Sequence, residues 1–388
     1  MTILEEGGSN MKKTSCSRLM LGVIVCLLLS GQVALGEFIF GEPEKVPNLN
    51  TFSFDGGGSI SSDGFEMYFV SAHPHGGDYC YSDIYVTTRL TLEDAWGTPM
   101  KLDPPVNTDA AEFNPCISAD GLELFFAVGT PDCAGRPGGY GKSDIWVSTR
   151  TSRCDSWGEP QNLGSNVNSA DNEEGVSISS DGLSLYFHSY PSAVGYAPMS
   201  EIYVAKRPTK NDPWEPAERI GSPINSNAHD NFPFISPDNL SLSFTRGRWE
   251  NGRYTYDTYV SRRSSIAAPW ETPVRFDPVN SPLSEYGMSY AVGGSTLYFV
   301  RSDNWTPFNA SSYSDTRITM DIWQVEGTPF VDFNEDGSVD VFDVIIMTEH
   351  WGKDYPPCDI SPFPLGDNIV DAQDLKVLTD YLEDPSRP

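Results

Sequence analysis

The segment ISSDGFEMYF, at residues 60–69, joins a polar turn to a run of apolar residues. Its Asp63-Gly64 pair supplies the positive φ that a tight hairpin needs, so the flanking stretches are predicted to be antiparallel strands. The same turn followed by a similar strand returns four more times. The five turns are centred on Asp63, Asp120, Asp181, Asp238 and Gly293. A repeat of this size indicates an array of similar small sheets.

Each copy continues with a second alternating strand, typified by Asp-Ile-Tyr-Val at residues 83–86. A Trp, a Pro and an Asn then follow in four copies, but the fifth lacks this final piece. Residues 40–43 and 49–51, at the front of the chain, resemble the missing segment. We therefore predict an all-β five-bladed propeller over residues 37–328, closed by its N-terminal strand, because closure hides edges that an open array would expose.

The Ser-Asp-Gly-x-x-Leu-Tyr-Phe and Asp-Ile-Tyr-Val pieces of this repeat resemble the WD-repeat-like propeller unit of the TolB type. That resemblance covers most of the chain after residue 36 and implies the propeller fold. It says little about function, because many unrelated activities share one fold.

Charge excludes one class of partner and the N-terminus predicts export. Lys and Arg total 25 against 54 Asp and Glu, a net charge of −29 that disfavours nucleic acid. Lys12, Lys13 and Arg18 precede an apolar stretch, and small residues follow at 34–36, so residues 1–36 are predicted to be a signal peptide. The stretch is shorter than the ~20 residues of a membrane span. A secreted protein, extracellular or periplasmic, is expected.

Export permits disulfides, and one or two bridges are plausible among the four cysteines of the propeller region. The sequence leaves their pairing open. These cysteines are Cys80, Cys116, Cys133 and Cys154.

An acidic residue lies eight positions before every turn, just ahead of the strand predicted to be innermost in each blade. These residues are Asp55, Glu112, Glu173, Asp230 and Glu285. One hypothesis makes them a catalytic carboxylate set or a cation-binding ring, since five-bladed glycoside hydrolases place acids on such strands. The other makes them structural, capping backbone amides or pairing with the repeated arginines Arg89, Arg150, Arg207 and Arg263. Repetition in every blade favours the structural hypothesis.

The loops between the second and third strands differ among the repeats and are rich in aromatic residues. Such rings, with polar neighbours, suit sugars, whose C–H faces stack on them. These loops contribute His73, His75, Tyr79, Tyr81, Tyr140, Tyr190, Tyr196, Trp249, Tyr254, Trp305 and Phe308. The alternative is that long loops pack on their own aromatics.

After residue 329 the sequence carries two acidic loops, each followed by an apolar helix. Oxygen ligands at this spacing predict two Ca²⁺ sites, with a short insertion in the second. The predicted ligands are Asp332, Asn334, Asp336, Ser338, Asp340 and Asp343 in the first loop, and Asp359, Ser361, Asp367, Ile369, Asp371 and Asp374 in the second.

Two loop-helix units with Asp at position 12 resemble a dockerin type I module, here residues 329–388. In that family positions 10 and 11 face a cohesin partner, which implies contacts through Val341, Phe342, Ala372 and Gln373. The resulting functional prediction is a secreted, dockerin-bearing propeller that binds or helps process polysaccharide and docks to a cohesin-type scaffold. We keep two alternatives: a glycoside hydrolase that uses propeller carboxylates, and a protein-binding propeller.

Overall fold

The protein is described here from a computed structural model. The described residues are 38–383 except 52–53, 73–80, 130–134, 192–198, 251–252, 291–294, 303–319, 330, 332, 334–338, 340, 354–357 and 362–368. The predicted signal peptide therefore lies outside the described residues. Within the described ranges, no helix is both long enough and apolar enough to cross a membrane.

Five antiparallel sheets form the body, which confirms the predicted five-bladed propeller. Four of the sheets contain three strands in hairpin succession and a fourth of only two residues, and the fifth sheet has five strands. Blade 1 contains β3 (Asp55–Ile60), β4 (Glu66–Ser71), β5 (Asp83–Thr88) and β6 (Met100–Lys101). Blade 2 contains β7 (Glu112–Ile117), β8 (Glu123–Val128), β9 (Asp144–Thr149) and β10 (Gln161–Asn162). Blade 3 contains β11 (Asn172–Ile178), β12 (Ser184–Tyr190), β13 (Glu201–Lys206) and β14 (Glu218–Arg219).

The last two blades repeat this order. Blade 4 contains β15 (Asp230–Ile235), β16 (Ser241–Glu250), β17 (Arg253–Arg262) and β18 (Val274–Arg275). Blade 5 contains β19 (Ser284–Tyr290), β20 (Thr296–Ser302) and β21 (Met320–Pro329).

Two N-terminal strands complete blade 5, as the offset of the repeat predicts. Strand β1 (Phe38–Phe40) pairs antiparallel with the C-terminal end of β21, and strand β2 (Glu44–Lys45) pairs antiparallel with its middle. The ring therefore closes by joining the start of the propeller to its last sheet, and this pairing removes the free edge of β21.

The repeated Asn of each blade is a backbone clamp on the third strand. Asn107 accepts a hydrogen bond from the Ile84 N–H and donates to the Ile84 carbonyl, each at 2.8 Å. Asn168, Asn225 and Asn280 make the same pair of bonds in blades 2, 3 and 4. Asn50 does so with Ile322, 272 residues away in sequence, so the N-terminal segment replaces the missing part of the fifth repeat.

The cores lie between neighbouring blades. One such core joins Phe125 of blade 2 to Phe187 and Trp214 of blade 3, and a second joins Tyr186 of blade 3 to Phe244 of blade 4. Strand β8 (ELFFAV) is buried at five successive positions and β12 (SLYFHSY) at four, so both faces of these second strands pack against neighbouring blades. Each blade is therefore stabilised by its neighbours.

The C-terminal region contains two short helices, α1 (Val341–Glu349) and α2 (Ala372–Glu383). A small apolar core holds them together, and its buried members are Val331, Met347, Cys358, Ile360, Val370 and Leu378. The two predicted helices are thus confirmed, whereas the dockerin fold itself stays a prediction.

Two of the four propeller cysteines form no disulfide. Cys116 is buried and Cys154 is exposed, and both are free thiols. Cys80 and Cys133 lie outside the described residues. The prediction was therefore wrong in allowing a bridge at Cys116 or Cys154, because the number and spacing of cysteines in a sequence do not reveal the distances between them in the fold.

Candidate functional site

The five repeated carboxylates are fully buried anchors at the start of the innermost strands. Asp55, Glu112, Glu173, Asp230 and Glu285 each have 0–1% exposure. Each accepts a hydrogen bond from the backbone N–H and another from the hydroxyl of the residue four positions earlier. Those earlier residues are Thr51, Thr108, Ser169, Ser226 and Ser281. The carboxylates therefore fix the loop that leads into each blade, which corresponds to the amide-capping alternative.

Three of these carboxylates also pair with an arginine of the same blade, which lies on the second strand or in the loop after it. Arg136 lies 3.3 Å from Glu112, Arg246 lies 2.6 Å from Asp230, and Arg301 lies 2.9 Å from Glu285. Burial raises the pKa of Asp55, Glu112, Glu173 and Glu285, although these hydrogen bonds oppose the rise. Each of the five carboxylates thus has hydrogen-bond partners within its own blade, and the described residues include no group of three or more acidic, histidine or cysteine side chains that could hold a metal ion.

The repeated arginines bind elsewhere, which corrects the expectation that they pair with these carboxylates. Each lies over the Trp of its own blade, with the guanidinium carbon 4.3–4.4 Å from the ring centroid. Each Nε donates to a carbonyl of the hairpin turn, as Arg207 does to Gly182 at 2.7 Å. Arg150 and Arg207 also pair with Glu66 and Glu123 of the preceding blade. The repetition of these arginines indicated a shared contact but did not identify the group that they contact.

Glu174 is the acid that departs from the repeat. It follows the anchor Glu173 on the innermost strand of blade 3, β11. The equivalent positions of the other blades carry Gly56, Phe113, Asn231 and Tyr286, none of which is a carboxylate. This position therefore has no structural duty shared by all blades, and its acid breaks the fivefold pattern.

One oxygen of Glu174 is held and the other is available. The Ser143 hydroxyl donates to Oε1 at 2.7 Å, and the Tyr190 hydroxyl donates to the same oxygen at 2.8 Å. Among the described residues no hydrogen bond reaches Oε2. The side chain is 12% exposed, so a small part of this carboxyl can be reached from outside. Burial raises the pKa of Glu174 to about 7, because the two hydroxyl donors only partly offset the loss of water.

His188 lies beside Glu174 as its cross-strand partner on β12. Its Nε2 is 4.0 Å from Oε2 of Glu174, and its Nδ1 accepts a hydrogen bond from the Phe232 N–H at 3.3 Å. The ring lies 4.9 Å from the Phe232 ring and 6.1 Å from the Tyr190 ring, measured between centroids. Burial lowers the pKa of His188 to about 3, so the imidazole is neutral at neutral pH. His188, with the Phe232 and Tyr190 rings packed against it, thus forms an apolar wall on one side of the carboxyl.

Gly175 makes room for this histidine. Its φ of +61° lies in the left-handed region, and a Cβ placed on it would lie 2.5 Å from Nδ1 of His188. The innermost strand bulges at this point, between Glu174 and Ser177. The same register shift follows the equivalent position in the other four blades, so the bulge belongs to the repeat, whereas His188 is specific to blade 3.

Glu174 was missed by sequence reasoning because attention went to positions that repeat. Two signals in the sequence could have identified it. The acid occurs at this position in one repeat only, and the second strand of the same blade carries a histidine, His188. Of the aromatic residues predicted to contact sugar, Tyr190 holds Glu174, while Tyr81, Tyr140 and Trp249 are exposed. His73, His75, Tyr79, Tyr196, Trp305 and Phe308 lie outside the described residues, as does the side chain of Tyr254.

The structure describes half of the predicted calcium ligands. Asp343 and Asp374 are both fully buried, and each accepts a backbone hydrogen bond from the second residue of its own loop, Phe333 or Ile360, at 2.7 Å. Asp359, Ser361, Ile369 and Asp371 are also described. Asp332, Asn334, Asp336, Ser338, Asp340 and Asp367 lie outside the described residues. No cluster able to hold a metal occurs among the residues described.

The four predicted partner-contact residues are exposed. Val341 and Phe342, at the start of α1, are 61% and 58% exposed, and Ala372 and Gln373 open α2.

Comparison with known proteins gives similar solved structures only, since no protein-family model and no curated protein matches the sequence. The catalytic domain of a Coprinopsis cinerea GH62 α-L-arabinofuranosidase is 11% identical, with a TM-score of 0.48, over 76% of this chain and 98% of that one. The native arabinanase of Bacillus subtilis is 14% identical, with a TM-score of 0.45, over 73% and 96% of the two chains. An α-L-arabinofuranosidase from Lactobacillus brevis is 13% identical, with a TM-score of 0.46, over 74% and 94%.

The functional prediction based on the dockerin resemblance is wrong. The solved structures that the chain resembles include arabinofuranosidases and arabinanases, and no protein-family model matches the sequence. A dockerin-bearing binder that docks to a cohesin is therefore withdrawn. The findings agree better with the alternative stated from the sequence, a glycoside hydrolase.

Proposed function

We propose that the propeller hydrolyses glycosidic bonds and that Glu174 donates the proton to the departing sugar oxygen. The placement of Glu174 carries this proposal: it is a single, largely buried acid on an innermost strand, outside the fivefold pattern of anchors. Acids of glycoside hydrolases need an environment that keeps them protonated near neutral pH. The apolar wall of His188 and Phe232 is such an environment.

The two oxygens of Glu174 have separate roles in this chemistry. The protonated carboxyl donates from Oε2 as the bond between the anomeric carbon and the glycosidic oxygen breaks. The carboxylate that remains is stabilised by the hydroxyl donors Ser143 and Tyr190, which already hold Oε1. His188, being neutral, adds no positive charge that would release the proton too early.

Hydrolysis also needs a group that activates water or attacks the sugar. The positions equivalent to Glu174 in the other blades offer no carboxylate. The proposal therefore concerns the acid half of the reaction.

The test is an assay of the full chain on glycans named for, or bound to, the similar structures. Arabinan, an aryl α-L-arabinofuranoside, xylotriose and cellotriose are incubated with protein, and released reducing ends are measured. We expect Glu174→Gln to lower kcat roughly 10²- to 10⁴-fold, the usual contribution of a general acid. An aryl glycoside with an acidic phenol should lose less, because its leaving group needs little proton donation.

The matched control is Glu159→Gln, which removes one exposed carboxylate between β9 and β10 of the neighbouring blade 2. This variant should retain the activity of the parent. Equal activity of the parent and Glu174→Gln on every glycan, or no release from any of them, would contradict the proposal.

Two further proposals concern the ends of the chain. We propose that residues 1–36 direct export, which N-terminal sequencing of the secreted protein tests. We also propose that the C-terminal loops bind Ca²⁺, because Asp343 and Asp374 place buried carboxylates at matching points of two similar loops. Bound Ca²⁺ would supply the positive charge that these acids need. Removal of Ca²⁺ with a chelator should lower helical ellipticity, and unchanged ellipticity would contradict binding.

A further inference from the structure

Blade 4 carries a longer hairpin between its second and third strands than the described residues of the other blades show. Strands β16 and β17 have 10 residues each, whereas the second strands of the other four blades have six or seven. The extra length lies beyond the Arg246–Asp257 pair, and Arg246 is itself the partner of the anchor Asp230. The extension therefore rises from the end of the blade at which the innermost strands begin, the same end at which Glu174 lies.

Trp249 stands near the tip of this extension and is 68% exposed. It lies three residue pairs beyond Arg246, which places it roughly 10 Å above the anchor at about 3.3 Å per residue. An indole ring held on a paired strand and open to solvent is a rigid apolar plane with a polar edge.

The face of the hairpin that bears Trp249 is continuous with the wall beside Glu174. Side chains alternate along a strand, so Trp249 and Gly247 share one face, and the cross-strand partner of Gly247 is Tyr256. The Tyr256 ring lies 5.1 Å from the Tyr286 ring, which lies 5.8 Å from the Phe232 ring.

The Phe232 ring in turn lies 4.9 Å from His188, and His188 lies 4.0 Å from Glu174. A sequence of aromatic contacts thus leads from the base of the extension to the acid. The opposite face of the extension carries Arg248, which is paired with Asp257. Only the face that bears Trp249 is continuous with the apolar wall beside Glu174.

We propose that Trp249 is a stacking platform for a sugar unit of an extended glycan whose reacting bond lies at Glu174. This inference rests on the proposed function for its substrate class. The chemistry that recognises the ligand is the apolar C–H face of a sugar ring against the indole. Long glycans gain this contact, whereas a single sugar at Glu174 does not reach it.

The test compares chain lengths in three variants of the full chain. Trp249→Ala removes the ring, Trp249→Phe keeps a smaller ring, and Trp351→Ala removes an exposed Trp of the C-terminal region as a matched control. Binding of arabino- and xylo-oligosaccharides of one to eight units is measured by calorimetry, and hydrolysis of an aryl glycoside is measured in parallel. Circular dichroism checks that each variant folds.

We expect Trp249→Ala to weaken binding of the long oligosaccharides roughly five- to tenfold, with Trp249→Phe between it and the parent. Kinetic constants for the aryl glycoside should not change, and Trp351→Ala should behave as the parent. Long and short ligands bound equally well by the parent and Trp249→Ala would overturn the inference, as would an equal loss for both lengths. Trp249-dependent binding without hydrolysis by any variant would overturn the proposed function and leave the platform standing.

Discussion

Lys45 Nζ lies 2.5 Å from the Asp321 carboxylate, although 276 residues separate the two in sequence. The same ion pair, between the first acid of a third strand and a base on the fourth, occurs within single blades as Lys101–Asp83, Arg219–Glu201 and Arg275–Asp257. The closing strand therefore reproduces the contacts of an ordinary blade. Substitutions can therefore separate the contribution of this ion pair to ring closure from that of the Asn50 hydrogen bonds.

Asn50 should matter more to closure than Lys45 does. Asn50→Ala removes hydrogen bonds to both backbone groups of Ile322 and should lower the free energy of unfolding by about 1–3 kcal/mol, because buried amide groups lose their partners. Lys45→Met breaks an ion pair whose lysine is 49% exposed and should cost about 0–1 kcal/mol. Urea unfolding measures both. A larger effect at Lys45 would show that closure depends on charge.

Substitution of Gly175 should be far more costly than substitution of Gly287. Both have positive φ, at +61° and +49°, so alanine at either costs about 1–2 kcal/mol of backbone strain. At Gly175 the new Cβ also meets Nδ1 of His188, which should bring the total to about 2–5 kcal/mol, whereas nothing lies within 4 Å at Gly287. Thermal unfolding of the two alanine variants measures the difference. Equal losses would mean that His188 moves aside freely.

The fold was predictable because the same physical requirement recurs five times. A positive φ at Asp63-Gly64 and an apolar strand after it would be weak signals alone, but repetition at similar spacing leaves few other architectures. The incomplete fifth copy also predicted closure by residues near Asn50. A ring needs each of its blades to be complete, so the missing piece had to come from elsewhere in the chain.

The candidate site was not predictable by the same reasoning. Repetition led to Glu173 and its equivalents, which the structure shows anchored to Ser169 and to the matching residues of other blades. Glu174 is the next residue along the chain, at a position that carries no acid in the other blades. Its environment depends on Ser143 of the preceding blade and on Phe232 of the following one, and contacts between blades are not encoded in the spacing of one repeat.

Arg207 should be among the most sensitive arginines of the propeller. Its guanidinium is 6% exposed, donates to Glu123 of the preceding blade and lies over Trp214. Arg207→Met leaves Glu123 without its partner and should lower the free energy of unfolding by about 3–5 kcal/mol. Arg219→Met breaks the exposed pair with Glu201 and should cost about 0–1 kcal/mol. Chemical unfolding compares the two, and similar costs would argue against a role for Arg207 between blades.

Stability as a function of pH should reveal Glu174 and His188 separately. For Glu174 the pKa is about 7 in the folded protein and 4.5 in the unfolded chain, so only the folded state retains the proton between these values. Stability contributed by this proton is present below pH 4.5 and is lost as the pH rises to 7. His188 acts in the opposite sense, since its pKa is about 3 when folded and 6.5 when unfolded, so stability is lost as the pH falls from 6.5 to 3.

The two effects nearly cancel between pH 4.5 and 6.5 in the parent, so a variant is needed to separate them. Glu174→Gln cannot titrate, and it should gain stability relative to the parent as the pH rises from 4.5 to 7, by up to ~3 kcal/mol at ~1.4 kcal/mol per pH unit. Urea unfolding at half-unit pH steps measures the difference, with Glu159→Gln as the exposed control. If the stabilities of the parent and of Glu174→Gln change equally across this interval, Glu174 is already ionised well below neutral pH. It could not then serve as the proton donor.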